Sequence, residues 1–273
     1  MVVHNDETAA AEVRLKVDEG VAVLTLDRPQ VKNALGWATW RDLDAAIRAV
    51  AVDSSVRAVV LTGSGGVFSS GGDVKTQGGG GGGAGLMAPA ARLRLGQEVL
   101  KNLYALPQPT VAAVDGYAVG VGWSIALSCD FIIAADDAFF WAPFTERALL
   151  PDGGLGWLLT RRVGHGRAVD VIIRGRRLTA EEARDWGLVT EICSPGNALN
   201  AAMSLAAQLV ELPADTIAGT KRLLRQAPAL THEQYLHLEE TSVALNFRSP
   251  DVLQGRQAFI ERRQPVFNRH LDQ

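Results

Sequence analysis

Two stretches of this chain place glycine where a backbone amide can meet a developing negative charge. The first is Val67-Phe-Ser-Ser-Gly-Gly-Asp-Val74, which follows the apolar run Ala58-Val-Val-Leu-Thr-Gly63. A buried strand, a tight turn and a helix start leave N–H groups free to point at a ligand, with the positive helix end behind them. The second is Val111-Ala-Ala-Val-Asp-Gly-Tyr-Ala-Val-Gly-Val-Gly122, another strand entering a glycine turn, with a helix beginning near Trp123. Two amides converging on one carbonyl oxygen form an oxyanion hole, each worth about 2.7–4 kcal/mol in a transition state. Glycines after strands also suit ordinary turns. A third stretch, Leu149-Leu-Pro-Asp-Gly-Gly154, holds Asp152 where it can cap a helix over Gly153–Val163.

The elements that must position these stretches alternate strand and helix. Val13–Val17 and Val21–Leu26 flank Asp18-Glu19-Gly20, a hairpin signal. Trp37, Trp40, Leu43, Ala46 and Ile47 recur at helical spacing, with Asn33 placed to cap that helix. The spacing predicts a strand over Arg57–Thr62, a helix over Ala90–Leu106 and a strand over Thr110–Val114. A short helix over Trp123–Ser128 and strands over Phe131–Ala135 and Ala138–Trp141 follow. From about Leu155 the pattern is helical except for a strand at Leu188–Cys193, with Thr179 and Glu182 as a capping box and Gly187 as a stop. The fold class is therefore α/β, in repeated strand–strand–helix turns. The run Gly78–Gly83 lies beside the first glycine motif and reads equally as a lid or as a tolerated surface insertion.

Composition removes several function classes. The 273 residues carry a net charge of −3 with no Lys or Arg run, which argues against nucleic acid or an anionic membrane as partner. Apolar stretches are broken by charges before membrane-spanning length. Met1–Ala11 has neither a basic n-region nor an apolar core, so a cytoplasmic protein without signal or transit peptide is expected. Cys129 and Cys193 sit far apart in apolar segments, as buried thiols do. None of the five histidines has metal-ligand spacing with another, so no metal is expected. His165 reads as a helix-end residue, and Asp130 as a structural carboxylate for nearby amides.

Four phrases in order, Leu26-Asp-Arg-Pro-Gln-Val-Lys-Asn-Ala-Leu35, Phe68-Ser-Ser-Gly-Gly-Asp73, Asp115-Gly-Tyr-Ala-Val-Gly120 and Ala180-Glu-Glu-Ala-Arg-Asp-Trp-Gly-Leu-Val189, resemble segments of the crotonase (enoyl-CoA hydratase/isomerase) family. That resemblance implies a crotonase-like spiral of ββα turns over residues 1–205, followed by a C-terminal helical region, 206–273, for assembly as a homotrimer or a dimer of trimers. It implies an acyl-CoA thioester as substrate and no cofactor beyond the coenzyme A it carries. The amides of Gly72 and Val121 would polarise the thioester carbonyl, and Ser70, Gly71, Gly72, Asp73 and Val74 would line the CoA channel. Tyr117 and Phe144 would line the same site. Phe259 and Arg262, in Ala258-Phe-Ile-Glu-Arg-Arg263, resemble residues that reach a neighbouring subunit's CoA.

The chain departs from the family's hydratases at the two glutamates that handle water. Those positions read Ser124 and Phe144, and neither can act as a carboxylate base. Branches that isomerise, cyclise or dehalogenate acyl-CoA esters place an acid where Asp152 stands. By that resemblance Asp152 is the candidate base or nucleophile, and the pattern resembles the isomerase branch most closely. Double-bond migration in a fatty-acyl thioester is the expected reaction. Other crotonase chemistry through Asp152 (hydratase-like lyase, dehalogenase, cyclase or hydrolase), and a non-catalytic CoA-ester binder, remain the alternatives. Glu146 and Arg147 read as a solvated surface pair, with Glu146 as a second acid the less favoured alternative.

Overall fold

A computed structural model describes residues 11–73 and 87–268. Val74 and the run Gly78–Gly83 lie outside the described residues. The chain opens with a hairpin of β1 (Val13–Asp18) and β2 (Val21–Leu26), turned by Glu19 and Gly20 at positive φ, 46° and 80°. Both turn residues at positive φ match the twist of the flanking strands. Then come α1 (Trp37–Val52), β3 (Ala58–Gly63), α2 (Met87–Ala105), β4 (Thr110–Val114), β5 (Tyr117–Val119), α3 (Val121–Ser128), β6 (Phe131–Ala135) and β7 (Phe139–Trp141). The remainder is α4 (Leu155–Val163), α5 (His165–Ile173), β8 (Leu178–Thr179), α6 (Ala180–Asp185), β9 (Glu191–Cys193), α7 (Ala198–Val210), α8 (Ala214–Gln226), α9 (His232–Asn246) and α10 (Pro250–Glu261).

Six strands form one sheet in the order β1-β2-β3-β4-β6-β9, parallel from β2 onward, and β5-β7-β8 form a smaller second sheet. The period-2 alternation of a strand sorts its side chains between two cores. Val59, Leu61, Ala112, Val114, Ile132 and Ala134 face the main core, where Trp123, Phe68 and Phe140 are fully buried. Ala58, Val60, Val111, Ala113 and Ile133 face the other side, which α7 covers with Ala198, Ala202, Ala206 and Val210. Both faces of the parallel strands are thus apolar, which is why they read as unbroken hydrophobic runs.

Several boundaries differ from expectation. Asn33 does not cap α1: Gly36 does, and the Thr39 hydroxyl accepts from its amide at 3.1 Å. Asn33 instead adopts φ +53° and is buried, donating to the carbonyls of Ser64 and Val67 at 2.9 and 2.8 Å and accepting from the Arg28 amide. β5 lies inside what reads as a glycine turn, because it borrows partners from β7 and from Ser69 rather than from its neighbours in sequence. The capping box at Thr179 is half formed. Its hydroxyl accepts from the Glu182 amide, while the Glu182 carboxylate turns to Arg176 at 2.7 Å. Among the described residues no helix is long and apolar enough to cross a membrane.

Candidate active site

The first glycine motif is held between two short parallel bridges. Ser69 pairs with Ala118 through Ser69 N–H to the Tyr117 carbonyl, 3.1 Å, and Val119 N–H to the Ser69 carbonyl, 3.0 Å. Gly72 pairs with Leu35, whose amide donates to the Gly71 carbonyl at 2.8 Å and whose carbonyl accepts from Asp73 at 3.0 Å. In a parallel bridge of this kind the central residue's own N–H and C=O point away from its partner. The Gly72 amide is therefore directed to the side opposite Leu35. Gly71 must be glycine: its φ is +91°, and a Cβ there would stand 2.6 Å from the Val119 carbonyl oxygen.

The second motif ends in Gly120, at φ +54°, whose amide donates to the Trp141 carbonyl at 2.8 Å. Gly120 is the N-cap of α3, so Val121 is the first helical residue, and its amide has no acceptor within the helix. All eight residues of α3 are buried, which keeps water from screening its positive end.

Asp152 comes from the turn between a single 3₁₀ turn, Thr145–Arg147, and α4. Gly154, at φ +72°, is the N-cap of α4, and no side chain caps that helix. Asp152 is therefore not the capping residue that its spacing suggests. Its backbone carbonyl accepts from Leu155 N–H at 3.1 Å and from the Ser124 hydroxyl at 3.4 Å. Gly153, at φ +59°, packs so closely that a Cβ would lie 2.7 Å from Val121 Cγ2 and 3.0 Å from Ser124 Oγ. Ser124 thus spends its hydroxyl on the Asp152 turn, and the buried Phe144 presents only an apolar ring.

These segments meet in two adjoining cavities. A recess of about 50 Å³ is lined by Ser70, Gly71, Gly72, Val119, Gly120, Val121, Pro143, Phe144, Arg147, Leu149 and Asp152. A wider space of about 610 Å³ continues from it along Leu35, Trp40, Leu93, Gln97 and the turn 149–154. Gly72, Val121, Phe144, Leu149 and Asp152 line both. Among the described lining residues Asp152 is the one carboxylate and Arg147 the one cation. Two larger grooves, 840 and 660 Å³, flank α8 and contain none of the expected site residues.

Ser70, Gly71, Gly72, Val121, Phe144 and Asp152 are therefore brought together, whereas four other expected residues lie elsewhere. Asp73 is buried against Arg28, with Nη1 at 3.1 Å from its carboxylate, and Arg28 also holds Glu12. The Tyr117 ring packs on Phe139, centroids 5.2 Å apart, and lines neither cavity. Phe259, 85% exposed, and Arg262 are on α10 and at its end, outside both cavities. Arg147 was not expected at the site. Nothing in its spacing distinguishes it from a surface residue, and the left-handed Ala148 that ends its turn is invisible to periodicity.

This arrangement can polarise a carbonyl with two amides and offer one carboxylate beside it. The sequence model of the enoyl-CoA hydratase/isomerase family matches residues 16–270. This chain belongs to the enoyl-CoA hydratase/isomerase family. It is 36% identical over 255 residues to a probable enoyl-CoA hydratase of Rhodobacter capsulatus, covering 93% of this chain and 97% of that protein. It is 32% identical to the 1,2-epoxyphenylacetyl-CoA isomerase of Escherichia coli, covering 92% and 96%. The crystal structure of an enoyl-CoA hydratase from Polaromonas sp. JS666 superposes with a TM-score of 0.90 at 30% identity, over 94% of this chain and 99% of that one. The crotonase fold expected from the sequence is the fold observed. Among these relatives hydratase names are more common than isomerase names.

Proposed function

We propose that this family member is an enoyl-CoA isomerase that moves a β,γ double bond into conjugation with the thioester. The Gly72 and Val121 amides donate to the thioester carbonyl, which lowers the barrier to removing a proton from the α-carbon. Asp152 takes that proton, the electron pair delocalises onto the carbonyl oxygen as an enolate, and the double bond shifts. Asp152 then returns the proton to the γ-carbon, so the carboxylate is regenerated and no water is consumed. No cofactor enters beyond the coenzyme A of the substrate.

One observation carries this reading: among the described residues Asp152 is the one carboxylate lining the site, while the positions at which hydratases hold glutamate are a serine bonded to the Asp152 turn and a buried phenylalanine. Syn addition of water needs a second group to activate it. The hydratase names among the relatives favour hydration as the competing reading, and the epoxyphenylacetyl-CoA isomerase at 32% identity is a relative named for isomerising an acyl-CoA ester of another kind. For assembly we favour a homotrimer or a dimer of trimers through residues 206–273. The exposed Leu253, Phe259 and Ile260 on α10 support a covered face there, with Phe259 and Arg262 over a neighbouring subunit's CoA.

The test is an assay of the purified protein and of Asp152→Asn against 2-enoyl, 3-enoyl and aryl CoA esters, following double-bond migration, hydration and release of free CoA. Migration that disappears in the variant supports the isomerase. Hydration that persists in the variant would mean that another group activates water.

A further inference from the structure

We infer that Arg147 reads a second negative charge on the acyl group, so that the preferred substrate is an enoyl-CoA whose acyl chain carries a carboxylate. The inference rests on the acyl-thioester reading of the recess. Arg147 is fixed by its backbone: its amide and that of Leu149 both donate to the Phe144 carbonyl, at 3.0 and 2.9 Å, and Ala148 between them is at φ +53°. The Thr145 hydroxyl ties the same turn to the Ile173 carbonyl at 3.0 Å. The turn holding Arg147 at the recess is thus anchored on both sides.

Its obvious counter-ion is turned away. The Glu146 carboxylate lies over Gly175, with Oε1 2.8 Å from where a Cβ on that glycine would stand. Among the described residues Arg147 enters no ion pair. A guanidinium presents five donors in a planar fork that suits a carboxylate. Arg147 lines a space of about 50 Å³ together with Gly72, Val121 and Asp152, so the residue stands at the thioester end of the substrate, within the side chain's reach of an acyl group bound there. The phosphates of CoA are removed from the thioester by the whole pantetheine arm, whereas the acyl chain begins at it. An anion met by Arg147 therefore belongs to the acyl group. Outside the bound state the guanidinium is solvated, and a substrate that displaces that water strengthens the pair.

The test is titration calorimetry with two unreactive ligands, saturated six-carbon acyl-CoA esters with and without a terminal carboxylate, on the wild type, Arg147→Lys and Arg147→Gln. The wild type is expected to favour the carboxylated ester by roughly 10- to 100-fold, the size of a charge-assisted contact. Arg147→Lys keeps part of that ratio and Arg147→Gln brings it close to one. Equal affinities in the wild type, or a ratio that survives in Arg147→Gln, overturn the inference, as does an equal loss on both esters and on free CoA. Turnover of the matching 3-enoyl esters separates the two readings. A binding ratio without double-bond migration leaves Arg147 standing and removes the isomerase, and migration without a ratio does the reverse.

Discussion

Asp152 and Asp130 are both aspartates in short turns between a helix and another element, yet their surroundings differ. Asp130 is saturated: it accepts from the Thr110 amide and hydroxyl at 2.8 and 2.9 Å and pairs with Lys221 at 2.5 Å and Arg225 at 3.0 Å. Its charge is consumed in fastening α8 to the start of β4. Asp152 lines two cavities together with Gly72 and Val121, and its backbone carbonyl, accepting from Leu155 N–H and the Ser124 hydroxyl, shapes the turn. Asp73 follows the Asp130 pattern, since it sits in the glycine motif itself and is taken by Arg28. What marks a structural carboxylate is thus the set of cations and amides gathered around it, as at Asp130 and Asp73, and proximity to a glycine motif is a poor guide to a catalytic one.

The largest effect that could break this contrast is on rate. Asp152→Asn is expected to lower kcat for double-bond migration by about 10²–10⁴-fold, the usual contribution of a positioned acid–base group, while the urea midpoint moves little. A small loss of kcat with a large loss of stability would put Asp152 in the same class as Asp130. The reciprocal change, Asp130→Asn, should cost about 3–5 kcal/mol of stability, the range for removing one partner of a buried ionic cluster. Lys221 is buried, and that burial already pulls its pKa below the usual lysine value while Asp130 opposes the shift. Turnover per folded molecule should be preserved. Equilibrium unfolding in urea, with activity measured on the folded fraction, reads both quantities.

The same contrast explains what was legible in the sequence. The main-sheet strands were readable because β3, β4 and β6 are apolar on both faces, so the runs at Ala58, Thr110 and Phe131 needed no knowledge of their partners. The glycine motifs were readable because positive φ and close approach leave glycine little competition at Gly71 and Gly120. β5 and β8 were not readable, being two or three residues long and held by pairing with β7 alone or with a loop. The role of Asn33 was misread because a cap and a cross-loop staple use the same side chain, and only tertiary contacts distinguish them. Asp73 and Tyr117 line neither cavity, because their side chains are engaged by Arg28 and Phe139, both distant in sequence and so invisible to a reading of neighbours. Arg147 escaped notice for the converse reason, since the turn that brings it to the recess is held by the Phe144 carbonyl and by Ile173, which is distant in sequence.

A smaller effect sharpens the reading of the missing glutamate. Ser124→Glu restores the hydratase residue type, but Gly153 packs against Ser124 with no space for a larger group. The added atoms should cost about 1–3 kcal/mol through overpacking and shift the Asp152 turn, so migration falls and no hydration appears. Near wild-type stability together with new hydratase activity would show that the turn yields, and that the site is less committed to Asp152 than proposed.

The smallest effect tests whether the Asp130 region is as dry as its ion cluster requires. The Cys129 thiol is pushed up to about 12, first by burial and then by Asp130, while Cys193, half-buried at the sheet edge, is raised by burial and by Asp115. Iodoacetamide at about pH 8 should therefore modify Cys193 well before Cys129 in the folded protein, because the thiolate is the nucleophile. The sign of the pH dependence follows from the same shift. Above about pH 8.5, the ordinary cysteine value, the unfolded chain releases the Cys129 proton while the folded chain keeps it. Stability from this group is thus complete below that pH and declines as the pH rises toward 12, by at most about 1.4 kcal/mol per pH unit. Urea midpoints compared at about pH 8 and pH 10 should fall further for the wild type than for Cys129→Ala, whose cavity costs the same at both. Equal falls would mean that water reaches Cys129, and with it the buried side of Asp130.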